Sequence, residues 1–226
     1  ENDLRPQLID RILSKANKHD IEICGPNCMG FYNPQAKLRV ASFPSSKKLS
    51  HGGIAWIAQS GSAFGALSRN DGRLGFSLCV STGMELKTTA SDYMRWALQQ
   101  KSTRVIGLFI EAIRDPANFI SALEEAKIKK IPVVILKVGK TEKSAKMALS
   151  HTGALVGNHL VYQGVFNKFG VIEVNDMDEM AATLALFDLN KVILKGDLVT
   201  VHDSGGEREL IVDLCEELDV NFAEIS

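Results

Sequence analysis

No run of apolar residues in this 226-residue chain approaches the length that crosses a bilayer, and no signal-peptide pattern opens it. Charge of one sign is missing as well: 26 Lys and Arg stand against 27 Asp and Glu, a formal net charge of −1. That balance gives no electrostatic case for nucleic acid or an anionic membrane as the main partner. Cysteine is scarce. Cys24 and Cys28 have three residues between them rather than the two of zinc knuckles and redox pairs, and no second pair follows. Cys79 and Cys215 sit in apolar runs, as core cysteines do. No metal site and no structural disulfide are therefore expected, and a reducing, cytoplasmic compartment is.

Familiar chemical motifs are missing too. No G-x-S-x-G surrounds Ser60 or Ser62, which weakens a serine hydrolase. Gly139-Lys140-Thr141 resembles the end of a P-loop, but Val134 stands where its first glycine belongs, and no G-x-G-x-x-G opens a helix. The chain carries no nucleotide-binding loop of its own, so a nucleotide would have to come from another domain.

What is present is an ordinary globular composition, 45% hydrophobic and 23% charged. Glu1-Asn2-Asp3-Leu4-Arg5-Pro6 reads as a helix start entered from something upstream, so a fragment of a longer protein is expected. Leu8, Ile9, Ile12, Leu13 and Ala16 have the spacing of an amphipathic helix. Ile21-Glu22-Ile23-Cys24 reads as a short strand running into Gly25-Pro26-Asn27-Cys28-Met29-Gly30, and residues 33–50 read as a polar linker.

From Gly52 onward, strand and helix alternate. Strands are expected at 54–58, 76–80, 104–110, 132–137 and 171–174, several of them near-continuous apolar runs of the kind buried on both faces in parallel sheets. Helices are expected to about 70, over 89–100, from the Asp115-Pro116 cap, up to about 169 and over 177–189. Five such units call for an α/β fold, a doubly wound, flavodoxin-like parallel sheet. A boundary is expected at 190–196, followed by a strand at 198–202, the turn Asp203-Ser204-Gly205-Gly206 and a helix, the start of a second, similar domain.

If the sheet has the order 2-1-3-4-5, its winding reverses between strands one and three, and ligands bind beyond the carboxyl ends at such a reversal. Three features then share one crevice: Gln59-Ser60-Gly61-Ser62 after strand one, Glu111 after strand three, and the 139–157 loop after strand four, which carries His151. Each also has a plain reading: a serine helix cap at Ser60, a solvated strand-end carboxylate at Glu111, and a basic loop in which Thr152 caps the next helix. Taken together they suit another chemistry. A carboxylate fixes an imidazole's tautomer, and a helix N-terminus favours an anion, so the three would carry a phosphoryl group on His151.

Five blocks in order carry a resemblance over nearly the whole chain. They are Gly25-Pro26-Asn27-Cys28-Met29-Gly30, Gly52-Gly53-Ile54 through Gln59-Ser60-Gly61-Ser62, Ser81-Thr82-Gly83 with Thr89-Ala90-Ser91-Asp92-Tyr93, Ile110-Glu111-Ala112-Ile113-Arg114-Asp115, and Ser150-His151-Thr152-Gly153-Ala154-Leu155. The chain resembles the NDP-forming acyl-CoA synthetases, which include the ADP-forming acetate–CoA ligases and, more distantly, the succinyl-CoA synthetase α subunit. The resemblance implies a ligase interconverting acid, CoA and NTP with acyl-CoA, NDP and phosphate, through an acyl phosphate and a phosphohistidine. It implies His151 as the phosphorylated histidine and Glu111 as its orienting carboxylate. Ser60, Gly61, Ser62, Thr152 and Gly153 would bind phosphate, and Asn27 and Gly83 would lie nearer the acyl-CoA.

By the same resemblance, residues 1–45 are the tail of a CoA-binding Rossmann-like domain with its linker, 46–190 a ligase domain, and 191–226 the start of a second ligase subdomain. CoA is then a substrate, and ATP or ADP with Mg binds on an ATP-grasp domain outside this chain. A small carboxylic acid and an oligomeric assembly complete the expected partners, and the isolated chain would be inactive. Met84 departs from the asparagine that the family often has after Gly83. The competing reading is a non-catalytic acyl-CoA-sensing module of a larger protein such as an acetyltransferase. A flavin-binding electron carrier would give a yellow protein and leaves the His151 loop without a purpose.

Overall fold

A computed structural model of the chain describes residues 5–42, 50–69, 72–141, 143–144, 159–189, 191 and 196–224. The chain divides into two compact units, Glu1–Leu189 and Asn190–Ser226.

In the first unit the described residues form a seven-stranded sheet. Its strands are β1 (Gly30–Asn33), β2 (Leu38–Ala41), β3 (His51–Ala58), β4 (Phe76–Ser81), β5 (Val105–Ile110), β6 (Val133–Lys137) and β7 (Ile172–Glu173), in the spatial order β2-β1-β4-β3-β5-β6-β7. The five strands from β3 onward are mutually parallel and give the expected 2-1-3-4-5 order, with the reversal between β3 and β5. Helices follow them: α2 (Gly61–Ser68), α3 (Ala90–Leu98), α4 (Pro116–Lys129), α5 (His159–Phe169) and α6 (Met177–Asp188), while α1 (Arg5–Lys18) precedes the sheet.

The apolar runs behave as parallel-sheet strands must. Alternate residues of β3 enter two separate cores. Ala55 and Ile57 face the layer containing Met94, Leu98, Phe119, Leu123 and Phe166 of α3, α4 and α5. Ile54, Trp56 and Ala58 face Phe64 and Leu67 of α2 and Met180 and Leu184 of α6. Gly107 of β5 permits this packing: a Cβ there would stand 2.8 Å from Leu184 and 3.0 Å from the Trp56 ring. The helix starts are capped locally. Asp115 accepts from the Asn118 N–H at 3.0 Å ahead of Pro116, and Asp176 accepts from the Glu179 N–H at 2.8 Å.

Three expectations are corrected. Residues 21–24 form no strand; their carbonyls pair with a loop, since Thr88 and Leu86 N–H donate to Ile23 and Gly25. Gly25 at φ +100° and Asn27 at φ 53° turn the chain out of an extended ladder. The described part of 33–50 is no free linker either: β1 and β2 form a hairpin, and β1 pairs antiparallel with β4 through Gly30↔Ser81, Phe31↔Val80 and Tyr32↔Cys79. Tyr32 stacks on Phe64 of α2 at 5.2 Å, which anchors the hairpin to the core. In the second unit, α7 (Gly205–Glu217) forms with Ser204 as its cap, but 198–202 makes only the single bridge Leu198↔Phe222. Val201, 95% exposed, has no strand beside it among the described residues.

Trp56 is fully buried where the sheet meets α2 and α6. Trp56→Ala is expected to lower unfolding free energy by about 3–5 kcal/mol, because the surrounding strands cannot collapse into the void. Urea unfolding followed by circular dichroism checks this.

Candidate functional site

The parallel strands β3, β4 and β5 end side by side, and the turn leaving each one contributes to a single cavity of about 250 Å³. Asn27, Ser60, Gly61, Ser62, Gly83 and Glu111 all line it, joined by Met29, Gln59 and Met84. Six of the nine residues expected at the site are thus brought together. The other three, His151, Thr152 and Gly153, lie outside the described residues.

Ser60 is the N-cap of α2, accepting from the Ala63 N–H at 3.3 Å, with its hydroxyl 2.9 Å from that of Ser62. The plain cap reading holds, and the cap takes one N–H of the first turn; the first-turn amides at Gly61 and Ser62 have no intrahelical acceptor. Met29 lies against this turn, where a Cβ on Gly61 would stand 2.7 Å from the Met29 Cγ.

Asn27 reaches the cavity because its segment is bonded to the turn after β4. The Met84 N–H donates to the Pro26 carbonyl at 2.9 Å, and the Leu86 N–H to Gly25 at 2.8 Å. Gly83 permits this approach. Its φ is +62°, and a Cβ there would collide with the Pro26 and Asn27 carbonyl oxygens.

Glu111 is placed by its backbone. Its N–H donates to Gln59 Oε1 at 2.7 Å, and its carbonyl accepts from Lys137 Nζ at 2.7 Å. Gln59, the residue after β3, also accepts from the Ala112 N–H at 3.0 Å and donates to the Ala112 carbonyl at 2.7 Å. Close to it is Glu85, a carboxylate only 6% exposed that accepts from Thr82 Oγ1 at 2.7 Å and the Ala90 N–H at 3.1 Å. Burial raises the Glu85 carboxyl above its usual range, against the lowering effect of Gln59, Thr82, the Ala90 amide and Arg114.

Glu85 and Lys137 carry no signal in the sequence that marks them, and Gln59 is placed in the crevice by its turn without a role of its own. Lys137 ends an apolar strand, where a lysine looks like the first solvated residue after the core; it is instead 2% exposed. Its ammonium also donates to the Val138 carbonyl and stands 4.8 Å from the centroid of the Tyr162 ring. Burial lowers its pKa to about 8, helped by Lys140 and opposed by Glu111 and Glu173. Nearby, Lys140 pairs with Glu173 at 2.7 Å. Among the described residues no cluster of three or more His, Cys, Asp or Glu is placed to hold a metal ion, and no helix is long and apolar enough to cross a membrane.

Residues 51–187 match the succinyl-CoA ligase-like flavodoxin domain family. The chain is 31% identical over 220 residues to the ADP-forming 4-hydroxybutyrate–CoA ligase of Nitrosopumilus maritimus, covering 96% of this chain and 31% of that one. It is 33% identical over 216 residues to the α subunit of ADP-forming acetate–CoA ligase II of Pyrococcus furiosus, covering 93% and 45%. The chain therefore spans between about a third and a half of these relatives' lengths. In fold it is similar to the dinucleotide-forming acetyl-coenzyme A synthetase 1 of Ca. Korarchaeum cryptofilum, a structure in complex with phosphate and ADP. The TM-score is 0.85 at 23% identity, over 97% of this chain and 48% of that one.

The buried lysine makes a prediction with a definite sign. Native Lys137 releases its proton near pH 8, whereas the unfolded side chain holds it to about 10.5. Between those values the unfolded state binds more protons, so stability rises with pH. Relative to Lys137→Met, the wild-type protein is expected to gain stability from pH 8 to 10.5, and the difference between the two to stay constant below and above that window. Denaturant titrations of both proteins across the range check it.

Proposed function

The chain belongs to the succinyl-CoA ligase-like flavodoxin family, and from that premise we propose that it is the ligase portion of an ADP-forming acyl-CoA synthetase. The observation that carries the reading is the meeting of Asn27, the Ser60-Gly61-Ser62 helix start, Gly83 and Glu111 around one cavity at the sheet's reversal. In this reading the acid, CoA and NTP exchange with acyl-CoA, NDP and phosphate. An acyl phosphate hands its phosphoryl group to His151, which passes it on to the nucleotide.

The roles follow from the chemistry of the groups. The Glu111 carboxylate accepts from one imidazole N–H of His151 and leaves the other nitrogen unprotonated and nucleophilic. The transferring group spreads negative charge over its oxygens, and the α2 N-terminus with the Ser60 and Ser62 hydroxyls offers donors and a favourable dipole to it. Thr152 and Gly153 complete the phosphate contacts beside His151, while Asn27 and Gly83 border the acyl end.

Residues 1–45 belong, in this proposal, to the end of a CoA-binding Rossmann-like domain, 46–190 to the ligase domain, and 191–226 to the beginning of a second ligase subdomain. Nucleotide and Mg are held by an ATP-grasp domain or subunit outside this chain. The relative that is itself an α subunit supports a divided arrangement of that kind. The assembly is an oligomer working in the cytoplasm on a small carboxylic acid, with neither nucleic acid nor membrane as partner.

The test is phosphoryl labelling of the protein encoded by the complete reading frame, incubated with γ-labelled ATP. Acid-labile label is expected, absent in His151→Ala and slowed by about 10²-fold in Glu111→Gln. No label in the wild-type protein overturns the ligase reading in favour of an acyl-CoA-sensing module. The chain of residues 1–226 alone is expected to show no ATP- and CoA-dependent turnover.

A further inference from the structure

Strand pairing at the site edge stops one residue too early to hold Glu111. The last β5–β6 pair is Ile110↔Lys137, and the final ladder bond runs from the Val138 N–H to the Ile110 carbonyl at 3.1 Å. The next carbonyl, that of Glu111, has no strand donor. The Lys137 ammonium supplies one at 2.7 Å, while Gln59 holds the N–H of the same residue at 2.7 Å.

Packing alone does not account for a lysine here. Lys137 is 2% exposed at the end of Val133-Val134-Ile135-Leu136, and taking a cation out of water costs several kcal/mol unless it is well partnered. Among the described residues its hydrogen-bond partners are the carbonyls of Glu111 and Val138, with the Tyr162 ring alongside. An apolar residue of similar length would fill the space more cheaply. The ammonium does something an apolar side chain cannot, which is to pin the carbonyl side of Glu111.

We propose that Lys137 is a positioning residue for Glu111: with Gln59 on the N–H and Lys137 on the carbonyl, the backbone of Glu111 is held from both neighbouring strands and its carboxylate is kept turned to the cavity. The inference rests on the reading of Glu111 as the group that orients the phosphoryl-carrying imidazole. A small displacement of such a group is costly, since an error of about 1 Å in a reacting geometry is worth about 10² in rate.

The test uses the complete protein with its nucleotide-binding partner, and compares Lys137→Met, Glu111→Gln and the double variant in steady-state turnover and in the rate of histidine labelling. Lys137→Met is expected to lower kcat by about tenfold or more while KM for the acid and for CoA moves by less than about twofold. In the Glu111→Gln background the same change is expected to leave the residual labelling rate unaltered, since nothing remains for Lys137 to position. A merely structural lysine would add its full loss in both backgrounds. Folded Lys137→Met protein with wild-type kcat, or a full additional loss in the Glu111→Gln background, overturns the proposal and leaves Glu111 in its role. Undiminished turnover in Glu111→Gln overturns the reading of Glu111 and this proposal with it. Should Lys137→Met not fold, Lys137→Leu, which likewise removes the donor, decides by the same comparisons.

Discussion

The buried side-chain amide of Gln59 ties together turns that the backbone ladders leave unpaired. Parallel strands exhaust their mutual hydrogen bonds at their carboxyl ends, yet the N–H and carbonyl groups just beyond still need partners if they are buried. Gln59 bonds both the N–H and the carbonyl of Ala112 and the N–H of Glu111. It is also covalently followed by Ser60, the cap of α2. One side chain thereby fixes the turn after β5 against the start of the helix that follows β3. An apolar residue there would leave those groups desolvated and unpaired, at about 1–3 kcal/mol each.

The same edge of the sheet buries charges of both signs. Glu85 is pushed towards its neutral form and Lys137 likewise, in each case mainly by burial. Their cost is borne by the two apolar layers beneath, where β3 alternates its side chains between α3, α4 and α5 on one side and α2 and α6 on the other. A well-packed sheet can carry a strained polar edge because strand pairing and helix packing do not depend on what lies past the last ladder bond.

The side of the crevice lined by Asn27 and Gly83 rests on a close backbone approach. Gly83 brings the turn after β4 against Pro26 and Asn27, and the hairpin of β1 and β2 continues the sheet from the same segment. Cys24 and Cys28, 4.0 Å apart between sulfurs, flank this approach as free thiols. The N-terminal segment is consequently part of the site's wall, although α1 before it leaves Leu8, Ile9 and Ile12 exposed.

The amino-acid sequence by itself determined whatever depends on neighbours along the chain. Apolar runs at 54–58 and 133–136 state their burial on both faces, and Ser60, Asp115 and Asp176 cap helices that begin within three residues of them. The alternation of such elements dictates a right-handed, doubly wound parallel sheet, and that topology is enough to bring Ser60, Gly83 and Glu111 to one edge. Only the tertiary structure decided which distant groups meet there. Segment 21–24 reads as a strand because Ile21 and Ile23 flank Glu22, but its carbonyls at Ile21 and Ile23 accept from Lys87 and Thr88, whose irregular path is not visible locally. Residues 33–50 read as a linker because they are polar, although an edge hairpin needs only one buried face, supplied by Tyr32 against Phe64. Gln59 and Lys137 read as ordinary strand-end polar residues, since a side chain's burial and its partners 26 and 52 residues away are properties of the fold.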